Sequence, residues 1–489
     1  MQAGCDYPRL QSGPNPEALT SPSYVTAWRI PAAARSPSGG QPQGNALVES
    51  NKTYDLPGLI DLALRANPET RQSWEEARAA AARLGQSESA WYPTLTALAF
   101  SKYTRDTIVI SNGALWRAGM EAFGGARLAW LLMDFGAREA AVEASAQRLL
   151  AANLNFNRKH QDIAYRVSSR FFAHQSSLAR VEANRAVLAT ANQGVASVQA
   201  RLGQGFATRP ELLMAIQEQA KANFDLQDAL GTRVDTQANL AASLGVSPSL
   251  NLNLVDMSRM PLPKDLEEPA ERIADSALRE RPDLAARLAE LRARDAEVKK
   301  AWAEFWPKLS VNGAVGEQYW NVVPKPSERG DIVHSNLYGA AGLTMEWNLF
   351  DGFERVNQAK EAVARREAAR AELESLKLEV IREIWKAYAD LKTALRKREF
   401  ALALLAAAEE SHAAARASYG QGFSTTLDLL TAQRDLARAR FAEIDSRTSL
   451  LQSAASLVFA AGGMNVQEYG GASGPGSVSI PDLESEELN

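Results

Sequence analysis

The chain has 489 residues, a formal net charge of -4 and a single cysteine. This charge argues against a nucleic-acid-binding protein, which should carry a basic face. One cysteine excludes an intramolecular disulfide and the metal sites built on paired cysteines. With 46% hydrophobic but only 7% aromatic residues, the composition is typical of long, closely packed helices.

The N-terminal sequence Ala3-Gly4-Cys5 has the small-small-Cys form of a bacterial lipoprotein cleavage site. The apolar stretch that should precede such a site is missing from the printed sequence, so we interpret the chain as a mature or trimmed form. An incidental exposed cysteine is the alternative. No run approaches the roughly 18 apolar residues of a membrane-spanning helix, so any membrane crossing is expected to use strands.

The rest of the chain is a two-copy repeat. DLALRANPE at 61–69 is repeated by DSALRERPD at 275–283, an offset of 214, and Pro93-Thr94-Leu95 answers to Pro307-Lys308-Leu309 at the same offset. Further along, WLLMDFGAR at 130–138 is repeated by WNLFDGFER at 347–355, an offset of 217. The offset between the two copies changes from 214 to 217 within one loop and stays at 217 through the rest of the repeat. A period this long predicts two halves related by pseudosymmetry and excludes a solenoid.

Each copy first shows a helical stretch, 56–90 in copy one and 270–305 in copy two, with Asn67-Pro68 and Arg281-Pro282 marking a break. The period then changes to two, which indicates a pair of strands. The alternation is clear over 14 residues in copy two, where Leu337, Leu343, Met345, Trp347 and Leu349 share one face. We predict loops between the paired strands at 104–118 and 321–335.

A long helical pattern follows in each copy, with Asp and Gly at its start where capping residues belong. It runs for about 65 residues, or roughly 100 Å, until the tetrapeptide GQGF. A returning helix of about 37 residues comes next. The returning helix and the leading helix together match the long one in length, so we expect them to stack end to end beside it.

The GQGF motif occurs twice, and its eight residues are candidate functional positions. Glycine can take a positive φ and so turn one helix into the next. Turning does not explain why Gln and Phe are repeated too, and an exposed Phe is better explained by a partner that buries it. The eight positions are Gly203, Gln204, Gly205, Phe206, Gly420, Gln421, Gly422 and Phe423.

Three stretches, WNLFDGFER, YGQGFSTTLDLL and LVFAAGGMN (starting at Leu457), resemble the TolC-like outer-membrane factor family of bacterial export channels. The resemblance covers about residues 54–465. It implies a mainly α fold with a small transmembrane β part: a homotrimer whose four strands per chain form a 12-stranded barrel, continued by a long α-helical tunnel. Four strands cannot close a barrel alone, which independently requires oligomerisation if they span a bilayer.

The resemblance also implies how the chain is divided and located. It places the protein in the outer membrane of a Gram-negative bacterium and supports a lipid anchor at Cys5. The predicted division is an N-terminal segment 1–53, repeat one over 54–247, an equatorial linker 248–269, repeat two over 270–465 and a C-terminal tail 466–489.

By the same resemblance, the GQGF tips contact a periplasmic adaptor protein, and the duct works with an inner-membrane pump, expected to be of the RND type. The family's acidic entrance ring falls on Asp428, and its second acidic position falls on Thr431, a departure that leaves one ring. The family's Tyr-to-carboxylate link between hairpins falls on Tyr419 and Glu211. An arginine that helps closure in some members is replaced by Ser424. An ordinary helix N-terminal acid is the alternative reading of Asp428.

No enzyme, cofactor or metal site is expected. His160, His174, His334 and His412 are scattered and are interpreted as surface residues. Gly203-x-Gly205 lacks the Lys-Ser/Thr of a phosphate loop. The predicted function is a passive outer-membrane exit duct of a tripartite efflux or secretion system; a periplasmic coiled-coil scaffold or adaptor is the alternative.

Overall fold

A computed structural model of the chain describes residues 43–49, 52–110, 113–256, 260, 262–263, 268–325 and 332–464. Cys5 and the tail from 465 onward therefore lie outside the described residues. Within the described residues, none of the helices is long and apolar enough to span a bilayer.

Both copies have the same order of elements. Copy one consists of β1 (Thr53–Tyr54), α1 (Leu56–Ala66), α2 (Pro68–Glu88), β2 (Thr94–Ile110), β3 (Gly113–Met133), α3 (Ala137–Gly203) and α4 (Arg209–Leu244). Copy two follows β4 (Asn253–Leu254) and consists of α5 (Ala270–Glu280), α6 (Pro282–Ala303), β5 (Lys308–Lys325), β6 (Ile332–Glu346), α7 (Glu354–Gly420) and α8 (Thr426–Ala460). The predicted helix–strands–long helix–return order is confirmed.

The long helices set the dimensions of the molecule. α3 and α7 have 67 residues each, so each extends about 100 Å at 1.5 Å per residue. α2 and α6 lie beside the half of these helices near the strands, while α4 and α8 lie beside the other half. The result is a layer of helices rather than a globule. Alanine dominates its buried positions, as on α6 with Ala289, Ala293 and Ala296, because small side chains let helices approach closely.

The short helices meet end to end, as their lengths predict. At the copy-one junction, Asn67 Nδ2 donates to the Ser243 carbonyl at the end of α4, at 2.9 Å. At the copy-two junction, Arg281 Nη1 donates to the Ala460 carbonyl at the end of α8, at 3.0 Å. The two bonds are equivalent under the repeat. Each side chain stands at the break before Pro68 or Pro282 and satisfies a carbonyl that a helix end leaves unpaired.

The four long strands form one antiparallel sheet with the order β2-β3-β5-β6. They have 17, 21, 18 and 15 residues, all longer than the 14-residue alternation found in the sequence of copy two. The predicted loop at 104–118 is wrong, because β2 and β3 remain paired from Thr94↔Ala129 to Ile110↔Gly113. The predicted loop at 321–335 is also too wide, since β5 and β6 pair up to Val322↔Ile332. Residues 104–118 lack a clean apolar–polar alternation, so the period did not reveal the continuing strands.

The sheet has two different faces. One face carries exposed apolar side chains, including Leu95 (74%), Leu337 (81%), Leu343 (69%) and Met345 (68%). The other carries polar groups such as Glu121, which pairs with Lys102 at 2.9 Å and accepts from Gln318 at 3.2 Å. The predicted strand alternation is confirmed up to Glu346, where β6 ends; Trp347 and Leu349 lie beyond it.

The repeated WxLxDxxxR motif fixes the turn from the second strand of each copy into its long helix. Asp134 Oδ2 accepts from the Arg138 backbone N–H at 2.9 Å, and Arg138 donates to the carbonyls of Leu131 and Leu132 at 2.6 and 3.0 Å. Asp351 and Arg355 repeat the ion pair in copy two, at 2.5 Å. Asp thus supplies the predicted capping chemistry at both helix starts.

Candidate functional site: the two helical hairpin tips

The GQGF tetrapeptides form the turns between α3 and α4 and between α7 and α8. In copy one, Phe206 N–H donates to the Arg201 carbonyl at 2.8 Å and Gly205 N–H to the Leu202 carbonyl at 3.0 Å. This pair of bonds is the Schellman helix ending, and it requires a left-handed residue at Gly205. Copy two repeats both bonds, with Phe423 to Ser418 and Gly422 to Tyr419, at 2.9 and 3.1 Å.

Only one glycine of each motif is needed for the turn. Gly205 and Gly422 have φ values of 79° and 82°. Gly203 and Gly420 are the last residues of α3 and α7 and are not left-handed. A Cβ at either would meet no atom within 4 Å. The prediction that all four glycines make the turn is therefore wrong for Gly203 and Gly420.

The Gln and Phe of each motif point away from the chain's own core. Gln204 and Gln421 are exposed, and the two Phe rings are among the most exposed apolar groups of the described residues: Phe206 at 72% and Phe423 at 83%. Burying such a ring elsewhere would be favourable by roughly 1.5–3 kcal/mol. Each hairpin thus presents one exposed phenylalanine ring on a turn that two backbone hydrogen bonds hold in place.

A capping box starts each returning helix, and its acidic members are the two predicted gate carboxylates. Glu211 Oε2 accepts from the Thr208 backbone N–H at 2.6 Å and from its hydroxyl at 2.9 Å. Asp428 Oδ2 accepts the equivalent two bonds from Thr425, at 2.9 and 2.7 Å. These bonds favour the charged form, and they lower the pKa of Glu211 and of Asp428 below the ordinary values.

Tyr419 and Glu211 are joined through a third residue. The hydroxyl of Thr426, 3% exposed, donates to Glu211 Oε1 at 3.0 Å and lies 3.3 Å from the Tyr419 hydroxyl. Thr426 thus bridges Tyr419 and Glu211 within one chain, and the predicted direct link between the two side chains stays a prediction. Arg201 supports it, since its guanidinium donates to the Tyr419 carbonyl at 3.3 Å and lies 4.5 Å from the Tyr419 ring centre.

Two ion pairs that sequence reasoning missed also tie the hairpins together. Glu218 on α4 pairs with Arg434 on α8 at 2.7 Å, and Arg180 on α3 makes a bidentate contact with Asp445 on α8, at 2.5 and 2.6 Å. The Glu218–Arg434 pair and the Thr426 bridge join residues 216 and 215 positions apart, close to the repeat offset of 217. An acidic and a basic residue separated by about one repeat, as Glu218 and Arg434 are, were the signal in the sequence that could have identified this ion pair.

Asp428 differs from Glu211 in its surroundings. Within the described residues, its carboxylate makes no ion pair, and its bonds are confined to Thr425. Thr431, at the family's second acidic position, donates to its own helix at Leu427. Ser424 donates to the Ala415 carbonyl at 3.4 Å. The observed contacts of Asp428 are therefore those of a helix N-terminal capping acid, and within the described residues its carboxylate makes no hydrogen bond to the other hairpin.

The histidines are not all at the surface. His174 is only 7% exposed, and its Nδ1 lies 3.1 Å from the Thr236 hydroxyl, so the interpretation of all four as surface residues is wrong for His174. Burial lowers the pKa of His174 and of His160. Over the part of the chain that the structure describes, no group of three His, Cys, Asp or Glu could hold a metal ion.

Comparison with known proteins identifies a protein family and relatives of similar sequence. The family model described as outer membrane efflux protein matches residues 59–246 and 273–463. The protein CyaE of Bordetella pertussis is 28% identical over 408 residues, covering 82% of this chain and 83% of CyaE. The outer membrane protein OprJ of Pseudomonas aeruginosa is 26% identical over 453 residues, covering 91% and 92%.

Solved structures share the fold. A crystal structure of a membrane protein from Pseudomonas aeruginosa superposes with a TM-score of 0.73 at 24% identity and covers 83% of this chain and 90% of that one.

Proposed function

Since the chain belongs to the outer membrane efflux protein family, we propose that three copies form the passive exit duct of a tripartite efflux or secretion system. A channel of this kind works with a periplasmic adaptor and an inner-membrane pump, and we assign the pump to the RND type. The lipid anchor at Cys5 stays a prediction, because that residue lies outside the described part of the chain.

The sheet supports ring formation. Within the described residues, the edge strands β2 and β6 each have a partner on one side only, so the outer edge of each can pair with a strand of another copy. β2 and β6 run in opposite directions, so β6 of one copy can continue the antiparallel order beside β2 of the next. Such head-to-tail contacts close into rings, and three copies of four strands make a barrel of twelve.

The helix layer supports the same closure. α4 and α7 lie at opposite ends of the layer, and both carry exposed aromatic rings, Phe224 on α4 (74%) and Phe400 on α7 (67%). Exposed rings along both edges are unusual for a soluble monomer and mark surfaces for association. We propose that the α7 edge of one copy packs against the α2 and α4 edge of its neighbour, which surrounds a tunnel.

The apolar face of the sheet supports insertion into lipid. Leu337, Leu343 and Met345 are all more than two-thirds exposed on this face, which is the outward pattern of a transmembrane strand. With the open edges, this face is the observation that carries the proposal, because a periplasmic scaffold or adaptor has no use for it. The strands are longer than the roughly 10 residues needed to span a bilayer, so they continue beyond it.

At the other end of the molecule, we propose that the GQGF tips bind the adaptor. Phe206 and Phe423 supply the apolar contact, and Gln204 and Gln421 supply hydrogen bonds, giving six tips in the trimer. The hairpin ties through Thr426 and Glu218 hold the entrance closed until the adaptor docks. Three Asp428 carboxylates around the axis attract cations and repel anions, as charged rings do in other pores.

The test is to measure the mass of the detergent-extracted protein and its conductance in a planar bilayer. We expect a trimer that forms steady, cation-preferring pores. A monomer with no conductance would overturn the proposal and return the scaffold alternative.

A further inference from the structure

Two phenylalanines occupy a strained backbone conformation at the start of the long helices. Phe135 and Phe353 have φ values of 53° and 70°, and within the described residues they are the only non-glycine residues with positive φ. Left-handed backbone places the Cβ of an ordinary residue close to its own carbonyl, and bulky residues rarely adopt it. Both lie in the strand-to-helix turn, one in each copy.

The strained phenylalanine occurs in both copies although the position of the glycine in the turn differs between them. Each turn contains one adjacent left-handed glycine, Gly136 (φ 92°) after Phe135 in copy one and Gly352 (φ 68°) before Phe353 in copy two. The order of Phe and Gly is reversed between the copies, yet the ring is present in both. Strain that is kept in this way points to a use for the side chain.

The rings are not needed for the chain's own core. Phe135 is 49% exposed and Phe353 64% exposed. Their ring contacts are with other exposed aromatics: Phe135 lies 5.6 Å from Trp306, and Phe353 lies 5.6 Å from Phe350. In the copy-one turn, Arg138 is 7% exposed and pairs with Asp134. Arg355 pairs with Asp351 in the same way in copy two, so both turns have little freedom to relax.

The surroundings identify the partner. Further exposed apolar groups touch the two rings or lie within six residues of Phe353 along the chain: Trp306, Phe350, Trp347 and Leu349, all above 50% exposed. The Trp347 indole N–H donates to the Phe305 carbonyl at 3.1 Å, so the protein already satisfies its polar group. Aromatic rings in a band at the end of lipid-facing strands are typical of the boundary between acyl chains and headgroups.

We propose that the corner phenylalanines, Phe135 and Phe353, are membrane anchors whose rigid, strained turns hold the rings in the headgroup region of the periplasmic leaflet. They fix the height at which the helices leave the bilayer. This inference rests on the proposed function, since it requires an inserted sheet.

The test uses single cysteines in a Cys5→Ser background, since Cys5 is the only cysteine of the chain. Phe135→Cys and Phe353→Cys are labelled with bimane in trimers reconstituted in phosphatidylcholine vesicles that contain spin-labelled lipid. We expect both to be quenched strongly by a headgroup label and weakly by a label deep in the acyl chain. Leu343→Cys should show the reverse, and Glu182→Cys, exposed on α3 far from the strands, should be quenched by neither.

Absence of lipid quenching at both corners, with Leu343→Cys still quenched, would overturn this inference and leave the channel intact. Absence of quenching at Leu343→Cys as well would instead contradict the proposed function. A second comparison tests the strain: Phe353→Gly and Phe353→Ala both remove the ring, and only glycine relieves the backbone. The Gly variant should melt a few degrees above the Ala variant, while equal melting temperatures would contradict strain at this turn.

Discussion

The two copies are alike in backbone and unlike in the use of their charges. Both hairpins have a Schellman turn and a capping box, but Glu211 also reaches Thr426 of the other hairpin, whereas Asp428 stays within its own cap. At the opposite ends of the short helices, Asn67 makes a neutral bond, and its counterpart Arg281 is a buried cation. The turns and the junctions are thus common to both copies, whereas only the capping acid of copy one makes a hydrogen bond to the other hairpin.

The largest expected difference lies at the junctions. Arg281, 2% exposed, pairs with Asp283 at 2.6 Å and Glu383 at 2.8 Å. Burial disfavours the charged form of Asp283, but the hydrogen bonds and charge of Arg281, with Arg158, outweigh it and lower the pKa of Asp283. Arg281→Asn, which places the copy-one residue in copy two, should cost about 3 kcal/mol. It removes the ion-pair partner of Glu383 and leaves Asp283 with Arg158 alone, at 3.6 Å. Thermal unfolding of the detergent-solubilised trimer measures this.

The matched change at the other junction, Asn67→Ala, should cost only about 1 kcal/mol, the usual value of a lost neutral hydrogen bond. Adding Glu383→Gln to Arg281→Asn should recover part of the loss. Equal costs at the two junctions would show that the Arg281 charge has no special part in joining α8 to α6.

A smaller effect is expected at the hairpin bridge. Thr426→Val removes the hydroxyl between Glu211 and Tyr419 and should weaken closure by about 1 kcal/mol, which is several-fold in the open probability of single channels. Arg209, the repeat equivalent of Thr426, is exposed, so Arg209→Val is the control and should leave gating unchanged. An unaltered open probability in Thr426→Val would exclude the bridge as a closing element.

Acid should imitate the loss of this bridge. The bonds from Thr208 and, to a smaller extent, the bond from Thr426 lower the folded pKa of Glu211. The stabilisation from these bonds is full above the ordinary glutamate pKa and disappears as the pH falls through the lower folded value. Single channels should therefore open more readily only well into the acidic range, and Thr426→Val, which removes the part of the bonding that joins the two hairpins, should make this pH dependence smaller.

The smallest effects are expected at the glycines of the turns. Gly205→Ala and Gly422→Ala place a Cβ at a left-handed residue and should each cost about 1 kcal/mol. Gly203→Ala and Gly420→Ala fall within helices and should raise stability by about 0.5 kcal/mol. Melting temperatures that fall equally at all four positions would mean that Gly203 and Gly420 have a role the turn geometry does not show.

The sequence was a good guide where local chemistry repeats. The breaks at Asn67 and Arg281, the long helices, the capping acids and the exposed Phe206 and Phe423 all follow from residue type and period. The strand ends were misjudged because residues 104–118 lack the clean alternation of residues 337–345, and backbone pairing alone continues the sheet there. The Thr426 bridge and the Glu218–Arg434 pair join the two copies through space, so propensity and periodicity within one copy could not identify them.

The most direct test of the central claim compares the two capping acids in planar bilayers. If the chain forms a trimeric duct whose entrance is lined by the copy-two carboxylate, Asp428→Asn should lower the cation preference measured from the reversal potential in a salt gradient, by severalfold. Glu211→Gln should keep the preference and raise the open probability. Equal selectivity in both variants and in the parent protein would contradict the account.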